Sequence, residues 1–260
     1  MSMSYTSVRY EKRGHIAWLT LDRPHDNNTI DLQLAYDLCD ACSEACEDNE
    51  VWVVIVTGSG EVFCSGIDLS ELSPLDMHEL QRPNLAGLSS RAVAGVTCPV
   101  IAAINGDALG AGLEIALSCD IRISAENTRF GFPQTTYGLI PSGGGTQRLP
   151  RIVGTGKAME MLILAEPITA EEAYRIGLVS SVVPKGKTAE RAEEVAEKLI
   201  SRAPIAVRYA KEAVNKGVDM TLEQGLRLEA DLSILLQSTR DRAEGIKAFV
   251  EMGTASFKGE

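Results

Sequence analysis

The chain has 260 residues, of which 45% are hydrophobic and 23% are charged, and its formal net charge is −11. No basic run offsets this negative charge, which argues against a nucleic-acid or anionic-membrane surface. No run of about 18 apolar residues is present, which argues against a membrane-spanning helix, and no apolar leader precedes Tyr5. We therefore expect a cytoplasmic protein with a substantial buried core.

Short apolar runs alternate with helical patterns over the first part of the chain. Strands are predicted at Ile16–Leu21, Val51–Thr57, Val100–Ile104, Ile121–Ala125 and Ser180–Val183. Helices are predicted over 31–47, 76–95, 112–119, 143–152, 156–165 and 170–177. This alternation indicates an α/β core with crossover connections.

The composition changes after the Pro-Lys-Gly sequence at 184–186, and helical patterns become almost continuous. Further helices are predicted over 188–202, 204–217, 221–238 and 240–252. The last two carry an apolar stripe of Leu222, Leu226, Leu228, Leu232, Leu235, Leu236, Ile246, Phe249 and Val250. Part of such a stripe is expected to cover the protein's own core. We divide the chain into a core, 1–195, and a C-terminal helical region, 196–260.

Three of the six cysteines, Cys39, Cys42 and Cys46, lie in one helical pattern. Their C-x2-C-x3-C spacing raises the alternative of metal ligation. No fourth ligand lies nearby, and reduced cysteine is a commonly buried residue type. We therefore interpret them as core or flanking residues of a helix and expect no metal site.

Residues 98–120, CPVIAAINGDALGAGLEIALSCD, place one carboxylate near the start of an apolar helix. Gly106, Gly110 and Gly112 permit positive φ and close backbone approach. The helix start presents unpaired N–H groups suited to an anion or a developing oxyanion. Glu114 has apolar neighbours, so we expect it to be buried with a raised pKa that suits proton transfer near neutral pH. The alternative is a surface glutamate stabilised by the helix dipole.

Further segments stand in a fixed order around this helix. They are LDRPHDNNTI at 21–30, the apolar run Val51–Thr57, GEVFCSGIDLSEL at 60–72, RFGFPQTTYGLIPSGGGTQRLPRIVG at 129–154 and DRAEGIKAFVE at 241–251. Over nearly the whole chain, this set resembles the enoyl-CoA hydratase/isomerase (crotonase) family. The resemblance implies a spiral of repeated ββα turns with a C-terminal helical oligomerisation region. It also implies a homotrimer or a dimer of trimers.

The resemblance further implies a site for the chemistry of an acyl-CoA thioester. Glu114 matches the family's acid–base glutamate, which in hydratases positions or activates the water that adds at the β-carbon. The backbone amides of Ile67 and Ala111 match the two donors of the oxyanion hole, which holds a thioester enolate. Relatives usually carry glycine where this chain has Ala111, but the backbone N–H survives that change.

Gln134 departs from the family pattern, because two-carboxylate hydratases carry glutamate at the matching position. That second glutamate shares the acid–base work, whereas an amide can only hydrogen-bond a water or a substrate oxygen. General acid–base help contributes roughly a hundred- to ten-thousand-fold, so simple crotonyl-type hydration is expected to be impaired. Alternatively, Gln134 orients water while Glu114 makes both proton transfers. A specialised substrate, such as a cyclic or conjugated dienoyl-CoA, would also relax the need for the second acid.

In relatives the CoA portion usually lies along the segment before the oxyanion loop. The predicted substrate and CoA contacts are Arg23, Asn28, Ser65, Gly66, Asp68, Gly110, Pro133 and Tyr137. Asp68 has an alternative role as a helix N-cap, supported by Glu71 three residues later. The glycines at 143–145 lack the spacing of an ATP phosphate loop and are expected to let a helix start approach the site. We expect no cofactor apart from the CoA of the substrate.

Four hypotheses about function follow from Glu114 and Gln134. The leading one is an acyl-CoA lyase that adds or removes water across a double bond conjugated to the thioester. An isomerase that uses Glu114 as a single proton shuttle is the nearest alternative. An acyl-CoA hydrolase or decarboxylase needs enolate stabilisation but not two acids. A non-catalytic CoA-binding assembly protein is the last, and the retained Glu114 argues against it.

Overall fold

The computed structural model describes residues 5–69 and 84–260. Six strands form the main sheet, in the spatial order β1-β2-β3-β4-β6-β9. They are β1 (Val8–Arg13), β2 (Ile16–Leu21), β3 (Val53–Gly58), β4 (Val100–Ile104), β6 (Ile121–Ala125) and β9 (Ser181–Val183). Strands β1 and β2 are antiparallel, and every other neighbouring pair is parallel.

A second, three-stranded sheet carries two of the segments that lead into the predicted site. Its strands are β5 (Ala108–Leu109), β7 (Arg129–Gly131) and β8 (Ile168–Thr169), with β7 in the middle. Strand β7 is parallel to β5 and antiparallel to β8. This sheet therefore places the chain after β5 beside the chain after β7.

Helices account for most of the remaining residues. They are α1 (Leu32–Glu47), α2 (Leu85–Gly95), α3 (Ala111–Ser118), α4 (Gly145–Val153), α5 (Thr155–Leu164), α6 (Ala170–Arg175), α7 (Thr188–Ile200), α8 (Pro204–Gly217), α9 (Leu222–Leu236) and α10 (Arg240–Val250). Local chemistry explains several of the starts. Asp31 caps α1 by accepting the Leu34 N–H at 2.7 Å, and Thr221 forms a capping box with Gln224 at the start of α9.

The main sheet is covered on both faces. Helix α7 packs on one face, where Ala192 and Ala196 lie against a cluster that includes Ile55 and Ile101. Helices α1, α2 and α3 contribute to the larger cluster on the other face. Every residue of β4 is buried, as expected for a strand in a parallel sheet with helices on both sides.

The five predicted strands are confirmed, with shifts of one or two residues at their ends. Helices predicted over 31–47, 112–119 and onward to the C-terminus are also present with small boundary shifts. Of the helix predicted over 76–95, residues 85–95 form α2, and 76–83 lie outside the described residues. Strands β1, β5, β7 and β8 are additions to the prediction.

Helix α7 continues across the predicted boundary between 195 and 196, so that division of the chain stays a prediction.

The three clustered cysteines differ in exposure: Cys42 is buried, Cys39 is half-buried and Cys46 is exposed. In the described ranges, no group of three or more potential metal ligands comes together. None of the helices in those ranges has the length and apolar character needed to cross a membrane.

Candidate active site

The two predicted halves of the oxyanion hole lie side by side. The Leu109 N–H donates to Cys64 O at 3.0 Å, within an isolated parallel bridge between the two segments. A Cβ atom placed on Gly66 would lie 3.7 Å from Ala111 N. The loop that carries Ile67 therefore runs directly against the start of α3.

Two glycines make this close approach possible. A Cβ atom on Gly112 would lie only 2.2 Å from Cys64 O, so no other residue fits there without moving the backbone. Gly110 has φ +51° immediately before α3, a conformation that glycine adopts without strain. Both features predicted from the sequence, positive φ and close backbone contact, are present at this junction.

The amides of Ile67 and Ala111 have no hydrogen-bond acceptor among the described residues. Ala111 is the first residue of α3, where the N–H groups lack partners within the helix and the helix dipole is positive. On either side of Ile67 the backbone is fixed: Ile30 N–H donates to Gly66 O at 2.8 Å, and Asp68 N–H donates to Ile30 O at 3.1 Å. Two N–H donors are thus available at one junction, as stabilisation of an enolate oxygen requires.

Glu114 lies one turn into α3 and is 1% exposed. Its Oε1 accepts hydrogen bonds from the Gly143 and Gly145 amides, each at 2.7 Å. Its Oε2 is buried and has no hydrogen-bond partner in the described parts of the chain. Burial raises the pKa of Glu114, and the two amides and the positive charge of Arg148 offset that rise only in part. The site therefore contains one buried carboxyl with one oxygen anchored and the other available for proton transfer.

The loop that carries these two amides is fixed from both sides. Asn84, the N-cap of α2, donates through Nδ2 to Ser142 O at 2.9 Å and accepts from Ser142 Oγ at 3.1 Å. Arg148 of α4 donates through Nη1 to Gly143 O at 2.8 Å. Three helices, α2, α3 and α4, therefore meet at the Glu114 carboxyl. This agrees with the prediction that the glycines at 143–145 bring a helix start to the site.

Gln134 lies in a 3-10 helix, Pro133–Tyr137, that directly follows β7. We call the place where the Ile67 loop meets the start of α3 at Ala111 the oxyanion junction. Because β7 is parallel to β5, the Gln134 turn lies beside this junction. A Cβ atom on Gly110 would lie 3.1 Å from Gln134 Nε2, and Gln134 Oε1 is buried without a partner among the described residues. The structure thus brings Gln134 to the same junction as Ala111.

Arg23 and Asn28, the first two predicted CoA-contact residues in the chain, make ion pairs and hydrogen bonds within the protein. The guanidinium of Arg23 lies 3.2 Å from Asp31, 3.0 Å from Asp26 and 4.0 Å from Asp68. The side chain of Asn28 is fully buried and makes hydrogen bonds through both its oxygen and its nitrogen. Both side chains hold the loop before the oxyanion junction, and their direct contact with CoA stays a prediction.

The other predicted contacts surround the junction. Ser65 N–H donates to Asn27 O at 3.1 Å, and this bond joins the loop that carries Ile67 to the 23–28 turn. Tyr137 is 44% exposed at the end of the 3-10 helix, and burial of part of its ring raises the pKa of its hydroxyl. Asp68 lies just before the segment 70–83, which is outside the described residues together with Glu71, so the N-cap alternative stays a prediction.

Three polar residues near the carboxyl were missed in the sequence: Asn84, Ser90 and Arg148. Arg148 lies in the quoted 129–154 segment, and its position four residues after Gly144 could have indicated a contact with the glycine loop. Asn84 has the character of an N-cap before a helical pattern. Ser90 is one of two adjacent serines in a helix, and nothing local in the sequence separates it from Ser89.

This geometry places two backbone N–H donors beside one buried carboxyl, an arrangement suited to stabilising an anion next to an acid–base group. The chain matches the family model Enoyl-CoA hydratase/isomerase over residues 11–260 and belongs to that family. The resemblance drawn from the sequence motifs is confirmed. Relatives and solved structures support the same assignment.

Curated relatives match almost the full chain, and two of them illustrate this. The 2,3-dehydroadipyl-CoA hydratase of Escherichia coli is 40% identical over 248 residues, which cover 95% of this chain and 97% of the relative. The crotonyl-CoA hydratase of Syntrophomonas wolfei is 37% identical over 257 residues, which cover 98% and 99%. Among solved structures, an enoyl-CoA hydratase from Bacillus anthracis has a TM-score of 0.93 at 39% identity, covering 98% of this chain and 100% of that one. The crotonase fold is therefore confirmed.

Proposed function

We propose that the protein is a hydratase that adds water across the double bond of a 2-enoyl-CoA thioester. The observation that carries this proposal is the buried carboxyl of Glu114, with one oxygen held by two amides and the other without a partner among residues 5–69 and 84–260. Relatives at about 40% identity are named as hydratases of CoA thioesters, which supports the reaction class. The proposed reaction uses no cofactor apart from the CoA that is part of the substrate.

The amides of Ile67 and Ala111 stabilise the negative charge that develops on the thioester oxygen. As water adds at C3, the C2–C3 π electrons move toward the thioester carbonyl and form an enolate. Two N–H donors preorganised at that oxygen stabilise the enolate more than the substrate, and removal of one such donor typically costs about 3 kcal/mol. Both donors belong to the backbone, so the side chain of Ala111 does not alter them.

Glu114 makes both proton transfers in this mechanism. Its unpartnered oxygen accepts a proton from the water as the water oxygen bonds to C3. The same proton is then delivered to C2 as the enolate collapses, so the carboxylate is regenerated. The raised pKa of Glu114 brings its acid and base forms closer in energy near neutral pH, which suits both steps. Gln134 orients the water or a substrate oxygen by hydrogen bonding.

An isomerase is the second candidate, and the amide at Gln134 favours it. In this reaction Glu114 removes a proton from C2 of a 3-enoyl-CoA, the double bond moves from C3–C4 to C2–C3, and the proton returns at C4. The oxyanion junction stabilises the dienolate formed by loss of the C2 proton, as it stabilises the enolate in hydration. This reaction needs one carboxylate only, which is what the described part of the site provides.

Mass spectrometry in heavy water separates these reactions. The purified protein is incubated with straight-chain 2-enoyl-CoA, straight-chain 3-enoyl-CoA and cyclic dienoyl-CoA thioesters. Gain of one water supports the hydratase, and the preferred thioester identifies the acyl group. Deuterium uptake with migration of the double bond, but without added water, identifies the isomerase. If neither occurs, a hydrolase, a decarboxylase or a non-catalytic CoA-binding protein becomes the better hypothesis.

The variant Gln134→Glu sharpens the choice. If a second acid is what hydration lacks, this variant raises the hydration rate by roughly tenfold or more, toward the range of general acid–base help. Gln134→Ala is the matched control, because it removes the amide without adding an acid. A Gln134→Glu hydration rate no higher than that of the wild type would show that hydration does not lack a second acid.

The same proposal includes assembly as a homotrimer or a dimer of trimers. Helices α9 and α10 leave large apolar side chains exposed, among them Leu222 at 80% and Phe249 at 85%. Large apolar side chains left exposed in this number support an interface with another chain. Light scattering coupled to size-exclusion chromatography measures the mass directly. A mass of one chain at micromolar concentration would contradict this part of the proposal.

A further inference from the structure

Two adjacent serines on α2, Ser89 and Ser90, are both fully buried. Neither hydroxyl has a hydrogen-bond partner among the described residues. A buried hydroxyl without a partner is costly, since it has given up its hydrogen bonds to water. The two positions are neighbours in sequence but point in different directions, because successive residues of a helix are about 100° apart.

Ser90 faces the catalytic carboxyl. A Cβ atom placed on Gly143 would lie 2.8 Å from Ser90 Oγ and 2.9 Å from Glu114 Oε2. Both oxygens therefore border the same small space beside Gly143, and both lack partners in the described ranges. No contact of this kind involves Ser89. One of the two buried hydroxyls thus borders the same space as the unanchored oxygen of the site's carboxyl.

The position of α2 is fixed with respect to this space. Asn84 caps α2 by accepting the Gly87 N–H at 2.9 Å, and the same side chain binds Ser142, next to Gly143. The helix and the glycine loop are therefore joined through one residue. Ser90 lies further along the same helix, at a fixed distance from that joint.

We propose that Ser90 is a positioning residue for Glu114: its hydroxyl donates a hydrogen bond to Glu114 Oε2, directly or through one water molecule. This bond supplies the partner that both groups lack. It holds the carboxyl in one orientation and stabilises its charged form, which is the form that accepts a proton from water. The proposal rests on the role of Glu114 in the proposed function.

Other charged groups around the carboxyl do not replace this bond. In the described ranges, Arg148 of α4 is the cation that faces Glu114, and its Nη1 is bound to Gly143 O. Arg91, on α2, donates to Gly87 O and lies in the groove against α1. Helix α3 and strand β5 carry no other titratable side chain. Ser90 is therefore the nearby side chain whose removal directly alters the surroundings of Glu114 Oε2.

The test compares Ser90→Ala with Ser89→Ala in the full-length protein. Both variants delete one buried, unpartnered hydroxyl from the same helix, so their effects on packing are matched. The carboxyl signal of Glu114 is followed by ¹³C NMR of glutamate-labelled protein as the pH is changed. Its assignment comes from the signal that disappears in Glu114→Gln. The pH profile of kcat/KM is measured in parallel.

We expect Ser90→Ala to raise the pKa of Glu114 by roughly one unit, because a hydrogen bond to the charged form is lost. The acid limb of kcat/KM should move to higher pH by the same amount. Ser89→Ala should leave both unchanged, and Ser90→Thr, which keeps the hydroxyl, should retain the wild-type titration. Equal titration of Glu114 in the wild type and both alanine variants would overturn the inference.

The test of Ser90 and the test of the proposed function can fail independently of each other. If Glu114→Gln stays active while Ser90→Ala still shifts the carboxyl titration, the proposed function fails and the contact between Ser90 and Glu114 stands. If Glu114→Gln is inactive and Ser90→Ala shifts nothing, the function stands and the role of Ser90 fails.

Discussion

Helices α3 and α9 are both rich in apolar residues, but their surroundings differ. All eight residues of α3 are buried, including Glu114. In α9 the buried residue is Leu232, while Leu222, Leu226, Ile234 and Leu235 are exposed. The properties of α3 are thus set by contacts within one chain, and burial there changes the chemistry of a carboxyl. The apolar side chains of α9 have no such cover among the described residues, and the assembly proposed above places another chain against them.

The largest expected effect is at the carboxyl itself. Glu114→Gln keeps the shape of the side chain but removes its ability to exchange a proton, so we expect kcat to fall by about a thousand- to ten-thousand-fold. Steady-state kinetics on the preferred enoyl-CoA measure this. Glu171→Gln, an exposed residue in α6, is the matched control and should keep wild-type kinetics. Full activity of Glu114→Gln would show that the carboxyl is not catalytic.

The next effect concerns the tight packing at the start of α3. Gly112→Ala places a Cβ atom 2.2 Å from Cys64 O, so the backbone must shift. We expect a loss of about 2 kcal/mol in the free energy of unfolding, measured by urea denaturation, together with reduced activity. Gly156→Ala, in α5, meets no atom within 4 Å and should be neutral or slightly stabilising. Equal stability of the two variants would contradict the close contact.

A third change acts on the exposed apolar surface instead. Phe249→Asp introduces a charge at a ring that is 85% exposed, so it should leave the folding of one chain nearly unchanged. If α10 contacts another copy, the variant should have a lower mass than the wild type by light scattering. Ala243→Asp adds the same charge to an exposed position of the same helix without removing a large apolar group. A mass equal to that of the wild type for Phe249→Asp would place the interface elsewhere.

The smallest expected effect is a pH dependence of stability. Because burial raises the pKa of Glu114, the folded state holds its proton more tightly than the unfolded state. Wild-type stability therefore falls as pH rises from the ordinary glutamate pKa, about 4.3, through the higher pKa of the folded state. Thermal unfolding of Glu114→Gln should lack this decrease. The difference between the two proteins should grow over that interval and be constant below it. Parallel curves at every pH would contradict the raised pKa.

Several elements could be predicted because their pattern is local. Strands β3 and β4 are short apolar runs bounded by polar or turn residues, and α1 has both an Asp31 cap and an amphipathic repeat. Strand β1 was missed because its sequence, VRYEKR, is mostly charged and it lies at the edge of the sheet. Charged residues are common on edge strands, where they discourage pairing with another chain.

The short strands of the second sheet were missed for another reason. Strands β5 and β8 have two residues each and β7 has three, too few for a period-two pattern to develop. Each of these strands pairs with strands from other parts of the chain, and the residue pattern of one segment does not identify those partners. Yet β5 and β7 decide that Gln134 lies beside Gly110.

The sequence by itself determined the family, from short motifs in a fixed order along the chain. It also determined the order of the principal strands and helices and the buried carboxyl at Glu114, because these follow from residues close together in the chain. Only the tertiary structure decided which groups surround that carboxyl. The amides of Gly143 and Gly145 are 29 and 31 residues away, and Ser90 lies on a different helix. Hydrophobic periodicity records which face of an element is buried, whereas the partners across that face depend on how distant elements pack.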